Sequence, residues 1–119
     1  MSNLLVTEIF SSIQGESLYS GLPCSFIRLS GCPLRCKWCD TSYSFKQGET
    51  LSIGQILDKI KSFNLPLVEL TGGEPLTQKG SVKLLNSLIK MSPKVLLETG
   101  GSESIREVPK EVHIIMDLK

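Results

Sequence analysis

Residues 52–98 read SIGQILDKIKSFNLPLVELTGGEPLTQKGSVKLLNSLIKMSPKVLLE, and this stretch decides the fold. Ile53, Ile56, Leu57 and Ile60 recur at the spacing of one helix face, and Ser52 before them is a good N-cap. A helix is therefore predicted over residues 52–63. Residues 66–70 form a short apolar run of strand length, ended by Thr71-Gly72-Gly73. A second helical period over about residues 79–91 turns Val82, Leu85, Leu88 and Ile89 inward. Residues 94–98 then read as another strand, stopped by Gly100-Gly101. Strands that alternate with helices pair in parallel, with the helices covering the sheet and right-handed crossovers.

The same rhythm extends outward. Residues 112–118 (VHIIMDL) are a further strand, and residues 102–107 are at most a short helix. Upstream, residues 24–30 (CSFIRLS) read as a strand, residues 4–10 alternate loosely as a first strand, and residues 11–21 form a polar loop. Residues 31–48 hold a cysteine cluster without helical period and are read as a long functional loop. The expectation is an α/β fold: a partial (βα) barrel of parallel strands with covering helices and about four barrel strands. Residues 1–119 would be a single domain. Polar side chains gather where strands end: Cys32, Cys36, Cys39, Thr71, Glu74, Glu98, Thr99 and Asp117. In parallel α/β folds those carboxyl ends are where sites are built.

Composition narrows the function. Hydrophobic residues are 40% and charged residues 21%, the balance of a globular chain and not a disordered one. With 13 basic and 12 acidic side chains, nothing points to nucleic acid or to a strongly charged partner. The N-terminus has no basic segment followed by a long apolar run, so no secretory signal is predicted. The apolar runs are far short of the roughly 20 residues that span a bilayer. The four cysteines are therefore expected in a reducing cytoplasm, where clustering favours metal over disulfide.

Cys32-x3-Cys36-x2-Cys39 puts three thiols within one short loop. A Cys36–Cys39 disulfide is one reading, and a zinc site completed by Cys24 or His113 is another. Those two residues lack companions at finger spacing and read as strand core. Three cysteines without an obvious fourth suit a 4Fe–4S cubane whose last iron stays open to a non-protein ligand.

That x3-x2 spacing is the signature of the radical S-adenosylmethionine (SAM) superfamily, and the resemblance goes further. The run from Gly31 through Cys32, Pro33, Leu34, Arg35, Cys36, Lys37, Trp38, Cys39 and Asp40 to Thr41 resembles the cluster loop of the 7-carboxy-7-deazaguanine synthase family. Glu8-Ile9-Phe10-Ser11-Ser12-Ile13-Gln14-Gly15-Glu16, Phe26-Ile27-Arg28-Leu29, Thr71-Gly72-Gly73-Glu74-Pro75-Leu76 and Asp117-Leu118-Lys119 are similar to that family as well. Pro33 stands where the family usually has Asn, and Gly100 where Asn is more usual.

The resemblance implies a cluster on Cys32, Cys36 and Cys39, with SAM on the open iron. Trp38 and Asp40 would line the adenosyl side, and Gly73 and Glu74 would hold the methionine end. Glu98, Thr99 and Asp117 are further candidate SAM contacts at strand ends. The family's substrate is 6-carboxy-5,6,7,8-tetrahydropterin. Arg28, midway along an apolar strand, is costly there without an anionic partner and is the natural clamp for that carboxylate. Gln14, with the backbone of Ile13 and Gly15, would meet the pterin edge, Thr71 would touch substrate, and Thr41 resembles the ligand of a Mg²⁺ otherwise held by water and substrate oxygens.

The implied reaction is a radical ring contraction to 7-carboxy-7-deazaguanine with loss of ammonia, in queuosine and deazapurine biosynthesis. A flavodoxin or ferredoxin would supply the electron; nucleic acid and membrane are not expected partners, and the sequence leaves a homodimer open. The alternative readings are an activase of glycyl-radical enzymes, which uses the same cluster, and a truncated chain that binds a cluster without turnover. The family's chain is longer than this one, so the domain is expected to be incomplete at its C-terminus.

Overall fold

Two strands joined by a short loop run antiparallel, and two strands separated by a helix can run parallel. Both cases occur in this chain. A computed structural model describes residues 3–15, 19–30, 49–92, 94–101 and 104–116. In order the elements are β1 (Asn3–Ile13), β2 (Pro23–Leu29), β3 (Glu49–Ser52), α1 (Ile53–Phe63), β4 (Leu67–Gly72), a 3₁₀ turn (Pro75–Thr77), α2 (Ser81–Met91), β5 (Lys94–Thr99) and β6 (Val112–Met116). They form one six-stranded sheet of order β3-β1-β2-β4-β5-β6.

The parallel strands β2, β4, β5 and β6 are the expected barrel strands. To them β1 and β3 add an antiparallel edge that the helix rhythm did not disclose. The β1–β2 hairpin is closed by Gln14 N–H to the Leu22 carbonyl at 2.8 Å and Gly21 N–H to the Gln14 carbonyl at 2.7 Å. Residues 11–13, expected in a loop, therefore belong to β1. Four-residue β3 was not anticipated, because ETLS is too short and polar to announce a strand.

Helix α1 begins where Ser52 predicts. Ser52 Oγ accepts from Gln55 N–H at 3.1 Å, and Gln55 Oε1 accepts from Ser52 N–H at 2.8 Å, a complete capping box. Helix α2 starts at Ser81, two residues later than expected, since Pro75–Thr77 takes the chain through a 3₁₀ turn first. Its buried residues include Leu84, Leu85 and Leu88, while Val82 is only half-buried. Residues 104–107 contain no helix, and β6 is described to Met116.

Both helices pack on one face of the sheet. The core there joins Ile56, Ile60, Leu84, Leu85 and Leu88 to Leu4, Val6, Ile27, Leu29, Val68, Leu70, Val95, Leu97 and Val112. In β1 a register shift between Val6 and Glu8 lets even-numbered Leu4 and Val6 and odd-numbered Ile9 share that face. The opposite face carries the other parity: Glu8, Phe10 and Ser12 of β1 beside Arg28, Phe26 and Cys24 of β2, then Thr71, Glu69 and Leu67 of β4. None of the described helices covers this second face. No helix among the described residues is long and apolar enough to cross a membrane.

Candidate active site

The carboxyl ends of β2, β4 and β5 are laced together by side chains of one turn. Gly73 N–H donates to the Leu29 carbonyl at 3.3 Å. Gln78 exchanges two hydrogen bonds with the backbone of Leu5, 2.8 and 2.9 Å, and donates to the Ser30 carbonyl at 3.1 Å. Glu74, 5% exposed, accepts from Thr99 Oγ1 at 2.7 Å, Gly100 N–H at 2.8 Å and Leu76 N–H at 3.2 Å. Glu74, expected at the methionine end of SAM, thus ties this turn to the end of β5. Glu74→Ala would leave the Gly100 and Leu76 N–H groups and the Thr99 hydroxyl without their acceptor. The expected cost is about 2–4 kcal/mol, read as a lowered thermal midpoint; an unchanged midpoint would show the lacing to be dispensable.

Gly72 is needed for its conformation and for the closeness of β2. Its φ is +135°, and a Cβ there would lie 2.2 Å from the Leu29 carbonyl oxygen and 2.6 Å from the Leu29 nitrogen. The close approach that requires glycine at this position is made by β2's own backbone. Chain leaves β2 at Ser30, beside this turn, so the cysteine loop is attached at the same end of the sheet.

Two cavities open on the helix-free side and share lining residues. One, about 130 Å³, is lined by Thr71, Gly72, Gly73, Glu74, Glu98, Thr99 and Gly100. The other, about 300 Å³, is lined by Phe10, Ser12, Phe26, Arg28, Glu69, Thr71 and Glu98. Thr71 and Glu98 face both. Phe10 and Phe26 stack with centroids 5.0 Å apart and planes 9° from parallel, and the Arg28 guanidinium lies 5.6 Å above the Phe10 ring. Arg28 Nε donates to Glu8 at 2.9 Å; its side chain is 33% exposed, so the anionic partner its position demanded is Glu8 on the adjoining strand.

Arg28, Thr71, Gly73, Glu74, Glu98 and Thr99 are therefore brought together, as the sequence suggested. Gln14 is buried at the hairpin end of β1, toward the amino ends of the parallel strands. Its backbone closes the hairpin and its side-chain amide donates to Glu69 at 2.6 Å. Ile13 and Gly15 are exposed and are not among the residues lining either cavity. Cys32, Cys36, Trp38, Cys39, Asp40, Thr41 and Asp117 lie outside the described residues. Among the described residues no cluster of three His, Cys, Asp or Glu side chains could hold a metal.

Sequence reasoning passed over Phe10, Ser12, Phe26 and above all Glu69. A charge inside the apolar run LVEL carries the same signal that singled out Arg28.

Cys24 is fully buried, and His113 is half-buried against the edge of Tyr19, ring centroids 5.5 Å apart. Burial, reinforced by the charge of Glu69, pushes the Cys24 thiol up to about 12 from 9.0, although the Gln14 amide works in the opposite direction. The folded protein then keeps Cys24 protonated while the unfolded chain ionises above pH 9. The stability this supplies is complete below pH 9 and is lost as pH rises toward 12. At pH 9, iodoacetamide should leave the peptide containing Cys24 unmodified in the folded protein and modify it in urea. Equal modification in both would contradict the burial.

A mixed α/β sheet with a glycine-rich turn and paired cavities at its parallel carboxyl ends matches a known class. A family model described as the Radical SAM superfamily matches residues 26–115, and the chain belongs to that superfamily. The particular relatives are named alike. The chain is 47% identical over 116 residues to the 7-carboxy-7-deazaguanine synthase of Chlorobaculum tepidum, covering 98% of this chain and 53% of that protein. It is 43% identical to the synthase of Thermoplasma acidophilum, covering 97% and 55%. The crystal structure of QueE from Escherichia coli superposes with a TM-score of 0.85 at 26% identity, over 98% of this chain and 60% of that one. The chain spans about half the length of the curated relatives it matches.

Proposed function

We propose that the chain carries the cluster-, SAM- and substrate-binding face of a cytoplasmic 7-carboxy-7-deazaguanine synthase. The reaction is the contraction of 6-carboxy-5,6,7,8-tetrahydropterin to 7-carboxy-7-deazaguanine with release of ammonia, a step toward queuosine and other deazapurines. The observation that carries this reading is the continuity of the two cavities through Thr71 and Glu98. A turn of the type that holds SAM adjoins a pocket with an aromatic wall and a guanidinium, sized for a small flat ring.

Three thiolates, Cys32, Cys36 and Cys39, fit a 4Fe–4S cluster with one open iron, because a closed zinc or ferredoxin site takes four protein ligands. When bound, cluster and SAM would supply the radical chemistry, with SAM used catalytically. The chain's own residues bind and orient. Gly73 presents backbone to the methionine end, and Glu74 holds that turn against β5. Trp38 and Asp40 lie toward the adenosyl group, with Glu98, Thr99 and Asp117 at the strand ends. Arg28 turns from Glu8 toward the substrate carboxylate, its stem resting on Phe10. Thr71 stands where the two ligands meet, Gln14 supports the pterin end, and Thr41 contributes one oxygen to Mg²⁺. A flavodoxin or ferredoxin delivers the electron.

The test is turnover by anaerobically reconstituted protein given reductant, SAM and the carboxytetrahydropterin. Carboxydeazaguanine and ammonia should form in equal amounts with SAM conserved. Losing a charge-assisted, partly buried pair costs about 2–5 kcal/mol, so Arg28→Ala should raise the substrate KM by more than about tenfold and leave SAM affinity nearly unchanged. Formation of 5′-deoxyadenosine without carboxydeazaguanine would contradict the proposed substrate. Equal losses for both ligands in Arg28→Ala would make Arg28 a residue of the fold.

A further inference from the structure

Glu69 sits in the middle of β4, flanked by Val68 and Leu70, and is 2% exposed. A carboxylate in such a place is costly unless its oxygens are well served. Gln14 Nε2 donates to Oε1 at 2.6 Å, and Gln14 is 3% exposed with its backbone fixed by two hairpin hydrogen bonds. The carboxylate is therefore held in a fixed position, and it lines the 300 Å³ cavity with Phe10, Phe26, Arg28 and Thr71. In the β2–β4 register Phe26 opposes Glu69 and Arg28 opposes Thr71, so Glu69 lies one pleat deeper than Arg28 along the same aromatic wall. The slot thus has a guanidinium nearer the strand ends and a buried carboxylate at its floor.

A fixed buried carboxylate accepts hydrogen bonds from a flat pair of N–H groups, as in an amidine or guanidine edge. Resting on the function proposed above, we propose that Glu69 is the specificity-determining residue for the 2-amino-4-oxopyrimidine edge of the substrate, accepting from its ring N–H and its 2-amino group. In a 6-carboxypterin that edge and the carboxylate stand at opposite ends of the ring, as Glu69 and Arg28 stand at opposite ends of the slot. Ring contraction alters the other ring and leaves this edge intact. Glu69 therefore contributes equally to substrate and transition state, and its loss raises KM more than it lowers kcat.

The test compares equilibrium binding of 6-carboxypterin and of 6-carboxylumazine, which carries oxygen in place of the 2-amino group, to the reconstituted protein. Sites built to pair with a polar group reject analogues that lack it by large factors, so the wild type should favour the pterin by about 100-fold or more. Glu69→Gln should reduce that preference to about tenfold or less, chiefly through weaker pterin binding, with SAM affinity kept. A wild type that binds both ligands equally overturns the inference even if the variant does not fold, and so does a folded variant that keeps the full preference. A wild type that binds neither ligand overturns the proposed substrate itself, and the inference with it.

Discussion

Gly72→Ala should lower the stability of the protein by about 3–5 kcal/mol, an unusually large effect for adding one methyl group. Two costs combine. At φ +135° a Cβ is strained in any surroundings, and here it would also sit 2.2 Å from a backbone oxygen of β2 that belongs to the sheet. Relief requires β4 to move away from Leu29, which breaks the parallel pairing at its last registered position and shifts Gly73 and Glu74 with it. A thermal midpoint lowered by roughly 10 °C or more is the expected reading. Gly15→Ala is the matched control: nothing lies within 4 Å of its added Cβ, and its φ is not positive, so a change near zero is expected. Similar midpoints for the two variants would mean that the contact between β2 and the turn after β4 is looser than described.

Cys36→Ala should abolish iron binding and with it all SAM-dependent chemistry. With Cys36 gone only two cysteines of the motif remain, and no fourth cysteine is ready to substitute. Cys24 lies in the β2 core with its thiol held protonated, a poor replacement ligand. After anaerobic reconstitution the wild type should contain about four irons per chain and the variant close to none. Retention of the wild-type iron content by the variant would remove Cys36 from the ligand set.

Much of the fold was legible because single residues carried unambiguous instructions. Ser52 caps α1, and the alternation from residue 52 to residue 98 specifies parallel strands with helices between them. Periodicity could not disclose the hairpin edge: β1 meets β2 through a loop closed by backbone hydrogen bonds, and β3 is four residues whose pairing depends on β1 being there.

The site divided in the same way. Arg28, Thr71, Gly73, Glu74, Glu98 and Thr99 stood out because they stand at strand ends or interrupt apolar runs, and the structure places them around two adjoining cavities. Glu74 and Gly72 were recognised by motif, while their mechanical duties toward Thr99, Gly100 and Leu29 come from packing between strands far apart in sequence. Glu69 was missed although its surroundings in sequence resemble those of Arg28, and its partner Gln14 is 55 residues away.

Electron paramagnetic resonance of the reduced, reconstituted protein is the sharpest test of the proposed open-iron cluster. A signal from the reduced cluster that changes on addition of SAM is expected, because SAM would bind at the iron that the three cysteines leave open. Tight stoichiometric zinc with no iron under the same conditions, or a cluster signal indifferent to SAM, would contradict it.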